Sequence, residues 1–145
     1  TMINGWYTTG TEVVFACGGS MFESISSAAS ANDGLVVGVD VDQSGDSDTV
    51  ITSAMKALSN SVQLALGELK DNNMVWPEAY AGTCQYLGAK DDCVGLPIES
   101  SRFTTFTADE YNTLFAALVD GSLVVDNNSD PATHPETTNV TVDWQ

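Results

Sequence analysis

The sequence predicts an α/β fold with a mainly parallel sheet, because two apolar strands flank an amphipathic helix near its start. GTEVVFACGG is an apolar run closed by paired glycines, which is typical of a buried parallel strand entering a turn before a helix. LVVGVD repeats the apolar pattern and ends in a polar residue. Between them, SMFESISSAASANDG places Phe22 and Ile25 on one helical face, with Ser20 as a candidate N-cap. Together these stretches predict a βαβ unit.

The middle of the chain continues the alternation of strand and helix. TVITSAMKALSNSVQLALGELKDNN begins with β-branched residues and then takes up helical apolar spacing. It predicts a short strand to about Thr52 and an amphipathic helix to about Lys70. TCQYLGAKDDCVGL predicts a hairpin of two short strands that turns near residues 88 and 89.

The clearest predicted helix is TADEYNTLFAALVDG. Thr107 and Glu110 have the spacing of a capping box, and Gly121 is placed to end the helix. SLVV predicts a further short strand. Residues 126–145 predict a polar link followed by an edge strand at VTVDW. The α/β class therefore rests on residues 1–125.

Composition and charge exclude several classes of partner. The chain has 145 residues, of which 43% are hydrophobic and 17% charged, which fits one globular domain. Its 20 Asp and Glu against 4 Lys and Arg give a formal net charge of −16. A phosphate backbone needs clustered cations, so nucleic acid and anionic membranes are poor partners. The longest apolar runs are too short to cross a bilayer. Since the chain starts at Thr1, we expect it to be a piece of a longer protein.

The three cysteines predict no zinc site, because the chain has no CxxC and only one histidine. Cys17 follows VVFA and is expected to be a buried small apolar residue. Cys84 and Cys93 would face each other across the predicted hairpin. A cross-strand disulfide in an oxidising compartment and two free thiols are equally favoured.

The aspartate-rich stretch GVDVDQSGDSD raises three alternatives: a calcium loop, an acid/base pair, or a carboxylate placed to hold a neutral ligand. A calcium loop matches in part, but Ile51 stands where a bidentate carboxylate is required, and a strand precedes the loop in place of a helix. A dinucleotide fold needs G-x-G-x-x-G, which ACGGSMFES lacks. Apart from Asp42, no second titratable group is expected near Asp40, which argues against paired acid/base catalysis. We therefore expect neither a metal nor a cofactor, and no enzymatic reaction.

The position of Asp40 favours a binding role. It closes a predicted buried strand, at the sheet edge where open α/β sheets bind ligands, and a carboxylate there can accept hydrogen bonds from the two hydroxyls of a vicinal diol. Lys56 is the nearest cation and can donate to the same hydroxyls. Phe15 offers an apolar face for a ring. Taken singly, Phe15 as a core residue, Asp42 as a turn residue and Lys56 as a solvated helix residue are the simpler interpretations.

GTEVVFACGGS, VVGVDVDQS, TVITSAMKALSNSV and YLGAKDDCVGL resemble, in order and spacing, the basic membrane protein family of substrate-binding lipoproteins, also called the purine nucleoside receptor family. The resemblance implies a Rossmann-like, three-layer lobe of a type I periplasmic binding protein, with helices on both sheet faces. Family members are about twice this long, so residues 1–125 would be the carboxyl-terminal lobe, with the first lobe missing.

The resemblance also implies a function. The chain would be the substrate-binding part of a bacterial ABC importer for purine nucleosides, with an ABC permease as partner. It would lie outside the cytoplasm, held at the cell membrane by a lipid anchor absent from this chain. A sensing domain of a regulator with the same fold, or a receptor for a sugar or riboflavin, are the alternatives.

The same resemblance assigns the site residues. Asp40 and Lys56 would bind the ribose, and the backbone of Gly18 and Gly19 would line the cleft. Phe15 would contact the base, with Phe22 as its competitor. GGSMF departs from the commoner GGTG pattern, which bears on ligand choice. Asp42 is a neighbour with a turn-forming or supporting role.

Overall fold

The computed structural model describes residues 2–126, 130, 133–134 and 136–143. It confirms the α/β class, with one mainly parallel four-stranded sheet in the order β1-β2-β3-β4. The strands are β1 Val13–Phe15, β2 Leu35–Asp40, β3 Val50–Lys56 and β4 Val94–Gly95. The helices are α1 Met2–Thr8, α2 Met21–Ala31, α3 Leu58–Asp71 and α4 Ala108–Asp120. β1, β2 and β3 are parallel, and β4 pairs antiparallel with β3. The carboxyl ends of the three parallel strands therefore meet at one edge.

The core lies between α1, α2 and one face of the sheet. Phe22 and Ile25 of α2 are buried against Val36 and Val50, as the helical spacing predicted. Tyr7 of α1 closes this core, and its hydroxyl donates a hydrogen bond to the carbonyl of Leu35 at 2.7 Å. α1 was not predicted, because NGWYTTG carries no clear helix start or apolar repeat. Tyr7 packing holds this short helix in place.

α4 confirms the predicted capping box. Thr107 Oγ1 accepts a hydrogen bond from the Glu110 amide at 3.3 Å, and the Thr107 amide donates to the Glu110 carboxylate at 2.8 Å. Gly121 ends the helix with φ of +79°, which glycine adopts without steric cost. α4 side chains and Phe15 line a common cavity on the sheet face opposite α2. α4 therefore lies on the side of the sheet opposite α2, with the cavity between α4 and the sheet left open at Phe15.

The boundary between β3 and α3 differs from the prediction. β3 runs to Lys56, beyond the expected end at Thr52, because its residues pair with β2 along Gly38 to Asp40. Lys56 is thus a strand residue, and its interpretation as a solvated helix residue is wrong. α3 follows from Leu58, and none of its residues is buried. Its predicted apolar face has no covering element within the described residues.

The predicted hairpin around GAKDD is wrong. Residues 83–88 form no strand, residues 89–91 form a single 3₁₀ turn, and only Val94 and Gly95 pair with β3. Instead, the Cys93 amide donates to the Gly88 carbonyl at 3.0 Å, which closes the turn, and the Cys93 side chain is buried. Cys84 is exposed, Cys93 is buried, and both are free thiols, so the disulfide alternative is not formed.

Four smaller predictions also fail. Cys17 was expected to be buried, but it is exposed because it faces the cavity beside Lys56. β1 was expected to be buried on both faces, yet Phe15 is 51% exposed. Residues 122–125 form no strand, and neither do the described residues 140–143 of the predicted edge segment. Trp144, the last residue of VTVDW, lies outside the described residues.

Candidate functional site

Asp40 and Lys56 meet at the carboxyl edge of the parallel strands. Asp40 is the last residue of β2 and pairs with Met55, so Lys56 comes one residue later on the neighbouring strand. Lys56 Nζ lies 3.0 Å from Asp40 Oδ1, and both side chains are about half exposed, at 56% and 45%. The structure therefore brings together the two residues that the sequence predicted to act on one ligand.

The backbone of Asp40 takes a left-handed conformation with φ of +70°. Non-glycine residues rarely adopt this region, although aspartate tolerates it better than most. The Val41 amide donates to the Val39 carbonyl at 2.9 Å, which closes a tight turn around Asp40. Such strained conformations concentrate at functional sites, because the surrounding structure must hold them. The strained backbone at Asp40 is thus a second mark of this position, independent of its side chain.

Lys56 is held in its charged form by Asp40. The hydrogen bond from Lys56 to the Asp40 carboxylate, and then the charge of that carboxylate, raise the pKa of Lys56 above its ordinary value. Because the folded-state pKa is raised, the stabilisation is complete below the unfolded pKa of 10.5 and disappears as the pH rises through the folded value. Lys56 is therefore a hydrogen-bond donor throughout the neutral range.

This ion pair gives a direct test. We expect Asp40→Asn to lower the pKa of Lys56 towards 10.5, since the substitution removes the negative charge and keeps the side-chain shape. An NMR pH titration of the lysine Cε resonances measures the shift. Asp46→Asn, which removes a carboxylate elsewhere in the same loop, is the control and should leave the Lys56 pKa unchanged. An unaltered Lys56 titration in Asp40→Asn would show that the pair does not form in solution.

An apolar cavity of about 440 Å³ lies beside the pair. Its volume is that of a small-molecule site. On the sheet side, the cavity is lined by Phe15 of β1 and by Cys17, which follows β1. Lys56 is the charged residue in this lining. The α4 side chains that close it are Tyr111, Leu114, Phe115 and Leu118. The arrangement places an apolar surface, including the half-exposed ring of Phe15, next to the polar groups of Asp40 and Lys56.

Gln43 locks the turn that follows Asp40, a role that sequence reasoning missed. The side-chain oxygen Oε1 of Gln43 accepts a hydrogen bond from the Val39 amide at 2.9 Å. The backbone amide of Gln43 donates to Ser53 Oγ at 3.0 Å. A Cβ at Gly38 would stand 2.6 Å from Ser53 Oγ and 2.8 Å from Gln43 Oε1, so only glycine leaves room for this lock. The glutamine in GVDVDQ was the available signal, because a polar residue there must satisfy the backbone of the tight turn.

Asp42 serves the loop. Its Oδ1 accepts the Ser44 amide at 3.0 Å, and its Oδ2 accepts Ser100 Oγ at 2.6 Å. The Ser100 hydrogen bond and then those from Ser44 hold the pKa of Asp42 below its ordinary value. These contacts agree with the turn-forming role given as one of two interpretations of Asp42, and both its oxygens already have donors.

The other predicted site residues, Gly18, Gly19 and Phe22, do not line the apolar cavity beside the pair. Gly18 and Gly19 follow β1, and Gly19 has φ of +43°. Gly19 lines a separate polar depression with residues of α2 and the side chains of Gln43 and Asp46. Phe22, the competitor of Phe15 for the base, is only 6% exposed and belongs to the core. The burial of this ring in the core argues against a contact between Phe22 and a ligand.

The described residues also bear on two other classes of site. They contain no group of three or more His, Cys, Asp or Glu side chains arranged to hold a metal ion. No helix within them has the length and apolar character needed to cross a membrane.

Comparison with known proteins adds one relative. The chain is 34% identical over 100 residues to Basic membrane protein B of Borreliella burgdorferi. The matched stretch covers 67% of this chain but only 28% of the relative. The chain therefore spans less than a third of the protein that it resembles. It matches no protein-family model. The similarity supports a relationship to the basic membrane proteins, in agreement with the motifs noted in the sequence.

Proposed function

We propose that this chain is one ligand-binding lobe of a solute-binding protein that serves a bacterial ABC importer, with a purine nucleoside as ligand. The observation that carries the proposal is the Asp40–Lys56 pair at the carboxyl edge of the sheet, with Nζ and Oδ1 3.0 Å apart. A carboxylate accepts hydrogen bonds and an ammonium group donates them, so the pair is complementary to the two hydroxyls of a ribose. The resemblance of the motifs to the purine nucleoside receptor family implies the same class of ligand, and the similarity to Basic membrane protein B supports that relationship.

The surroundings of the pair support a ligand with a polar and an apolar part. The Phe15 ring is half exposed and lines the apolar cavity beside Lys56. Aromatic rings stack on nucleobases of any sequence, because every base has a π-face. A nucleoside would thus set its ribose on Asp40 and Lys56 and its base against Phe15.

We propose binding without chemical turnover. Receptors built from two lobes gain affinity when the lobes close over the ligand, a hinge motion that the ligand contacts bias. With only one lobe's contacts available, the 145-residue chain should bind nucleosides weakly or not at all. In the cell, the complete protein would lie outside the cytoplasm, anchored to the membrane by lipid, and would deliver its ligand to an ABC permease.

The test compares ligands that differ by one hydroxyl. In a protein that carries both lobes, we expect inosine or guanosine to bind at micromolar concentration or tighter in calorimetry. The matching 2′-deoxynucleoside should bind at least about tenfold more weakly, because a hydrogen bond to a charged group contributes about 1.5–3 kcal/mol. The 145-residue chain alone should not bind either compound at micromolar concentration.

Further ligands separate the alternatives. Free purine bases, ribose and riboflavin belong in the same thermal-shift screen, and tighter binding of any of them than of the nucleosides would replace the proposed ligand. Release of a free base from the nucleoside would contradict binding without turnover. A binding protein that is fused to a DNA-binding or kinase segment would favour a sensor over an importer.

A further inference from the structure

Arg102 reaches into the connection between β2 and β3, residues 41–49, here called the aspartate loop. Its Nη1 donates to the carbonyls of Ser47, Asp48 and Val50 at 3.2, 3.0 and 2.7 Å. Its Nη2 donates to the Ser44 carbonyl at 3.3 Å and lies 3.4 Å from the Asp48 carboxylate. One guanidinium thus binds four backbone carbonyls along the loop and at the start of β3.

Arg102 is itself fixed to the sheet. Its backbone amide donates to the Ile51 carbonyl of β3 at 2.7 Å. The preceding Ser101 shares a hydrogen bond of 2.8 Å with Thr52 Oγ1, again on β3. Ser100 donates to Asp42 at the beginning of the aspartate loop. Residues 100–102 therefore form a clamp with one side on β3 and the other on the loop.

The clamp acts next to a strained residue. The aspartate loop begins immediately after Asp40, whose φ of +70° must be held by its surroundings. Asp42, two residues after Asp40, accepts a hydrogen bond from Ser100 of the clamp. The side chain of Gln43, the following residue, accepts one from the Val39 amide of β2. A loop released from the clamp would gain conformational freedom, so the strained conformation of Asp40 would lose part of its support.

Charge strengthens this dependence. The loop carries Asp42, Asp46 and Asp48 in addition to the neighbouring Asp40, and Arg102 is the cation placed among its carbonyls. A planar guanidinium presents five donors in a fixed fork, so it can bind several carbonyls at once. A lysine ammonium has the charge but not this geometry.

From these contacts we propose that Arg102, together with Ser100, is a positioning residue of the ligand site, which holds the aspartate loop so that Asp40 faces Lys56. Its contribution to nucleoside affinity rests on the proposed function, whereas its effect on the Asp40–Lys56 pair does not. Arg102 does not touch the ligand; it acts through Asp40.

The experiment uses Arg102→Lys, Arg102→Gln and Ser100→Ala in the full-length protein, with Lys70→Gln as a control that removes a cation from α3. Three quantities are measured: the midpoint of urea unfolding, the Lys56 titration by NMR, and inosine affinity by calorimetry. For Arg102→Lys we expect about tenfold weaker inosine binding, the equivalent of losing one ordinary charge-assisted hydrogen bond. The Lys56 pKa should fall towards its ordinary value in the same variant. Ser100→Ala should change both quantities in the same direction by less.

The outcomes are distinguishable. A lower unfolding midpoint with an unchanged Lys56 titration and unchanged inosine affinity would give Arg102 a purely structural role and overturn the proposal. If no nucleoside binds the unsubstituted protein, the proposed function fails, but the Lys56 titration still decides whether Arg102 positions Asp40. If Arg102→Gln does not fold, Arg102→Lys and Ser100→Ala supply the same two readouts. A shift in Lys70→Gln equal to that in Arg102→Gln, which removes the same charge, would assign the effect to net charge and contradict positioning.

Discussion

Replacing Asp40 by alanine in a protein that carries both lobes should weaken nucleoside binding by about 2–4 kcal/mol, because the ribose then loses charge-assisted hydrogen bonds. The loss extends to Lys56, whose ammonium group would no longer be oriented by a carboxylate 3.0 Å away. Isothermal titration calorimetry with inosine measures the change. The effect should appear in affinity for ribonucleosides and be smaller for the free base, which does not reach the pair.

Asparagine is the matched control for that substitution. Alanine at Asp40 must adopt a φ of +70°, which strains a residue with a plain Cβ. Asparagine tolerates this conformation and retains one side-chain oxygen, so Asp40→Asn removes the charge with little backbone strain. We expect its affinity to lie between those of the unsubstituted protein and Asp40→Ala. Equal nucleoside affinity in all three proteins would remove Asp40 from the ligand site.

The sequence predicted those parts of the fold that depend on interactions between residues close together in the chain. The helix spacing of Phe22 and Ile25, and the capping box of Thr107 and Glu110, appear in the structure as the sequence indicated. These features depend on residues three or four positions apart. The hairpin around GAKDD failed because alternating residues also suit turns, and no local signal distinguishes the two. The end of β3 was misplaced because pairing with β2 continued past the point where helical spacing began.

In the candidate site, too, residues marked by their local position were predicted, and residues that act through distant contacts were missed. Asp40 was predicted from its place at the end of a strand. Lys56 forms an ion pair with it, as expected, although β3 is longer than the sequence predicted. Gln43 and Arg102 were missed because their roles depend on contacts that the sequence does not show. The Arg102 guanidinium binds carbonyls that precede it by more than fifty residues. Only the fold brings such a clamp to the loop.

Phe22 and Phe15 should respond in opposite ways to truncation, and this contrast carries the second large prediction. Phe22→Ala removes a ring that is only 6% exposed in the core formed with α1 and β2. It should destabilise the protein by about 3–5 kcal/mol through lost burial and the cavity left behind. That is a large part of the total stability of a domain, about 5–15 kcal/mol. Urea unfolding followed by circular dichroism measures the change.

Phe15→Ala is the matched variant on the opposite face of the sheet. Its ring is 51% exposed, so the expected destabilisation is about 1 kcal/mol. Nucleoside binding should nevertheless weaken by about 1–3 kcal/mol, the usual contribution of one aromatic ring stacked on a base. Affinity corrected for the folded fraction should stay unchanged in Phe22→Ala. If Phe22→Ala instead left stability intact and reduced affinity, while Phe15→Ala left affinity unaltered, the base would lie against α2 and the position of the site on this sheet would be wrong.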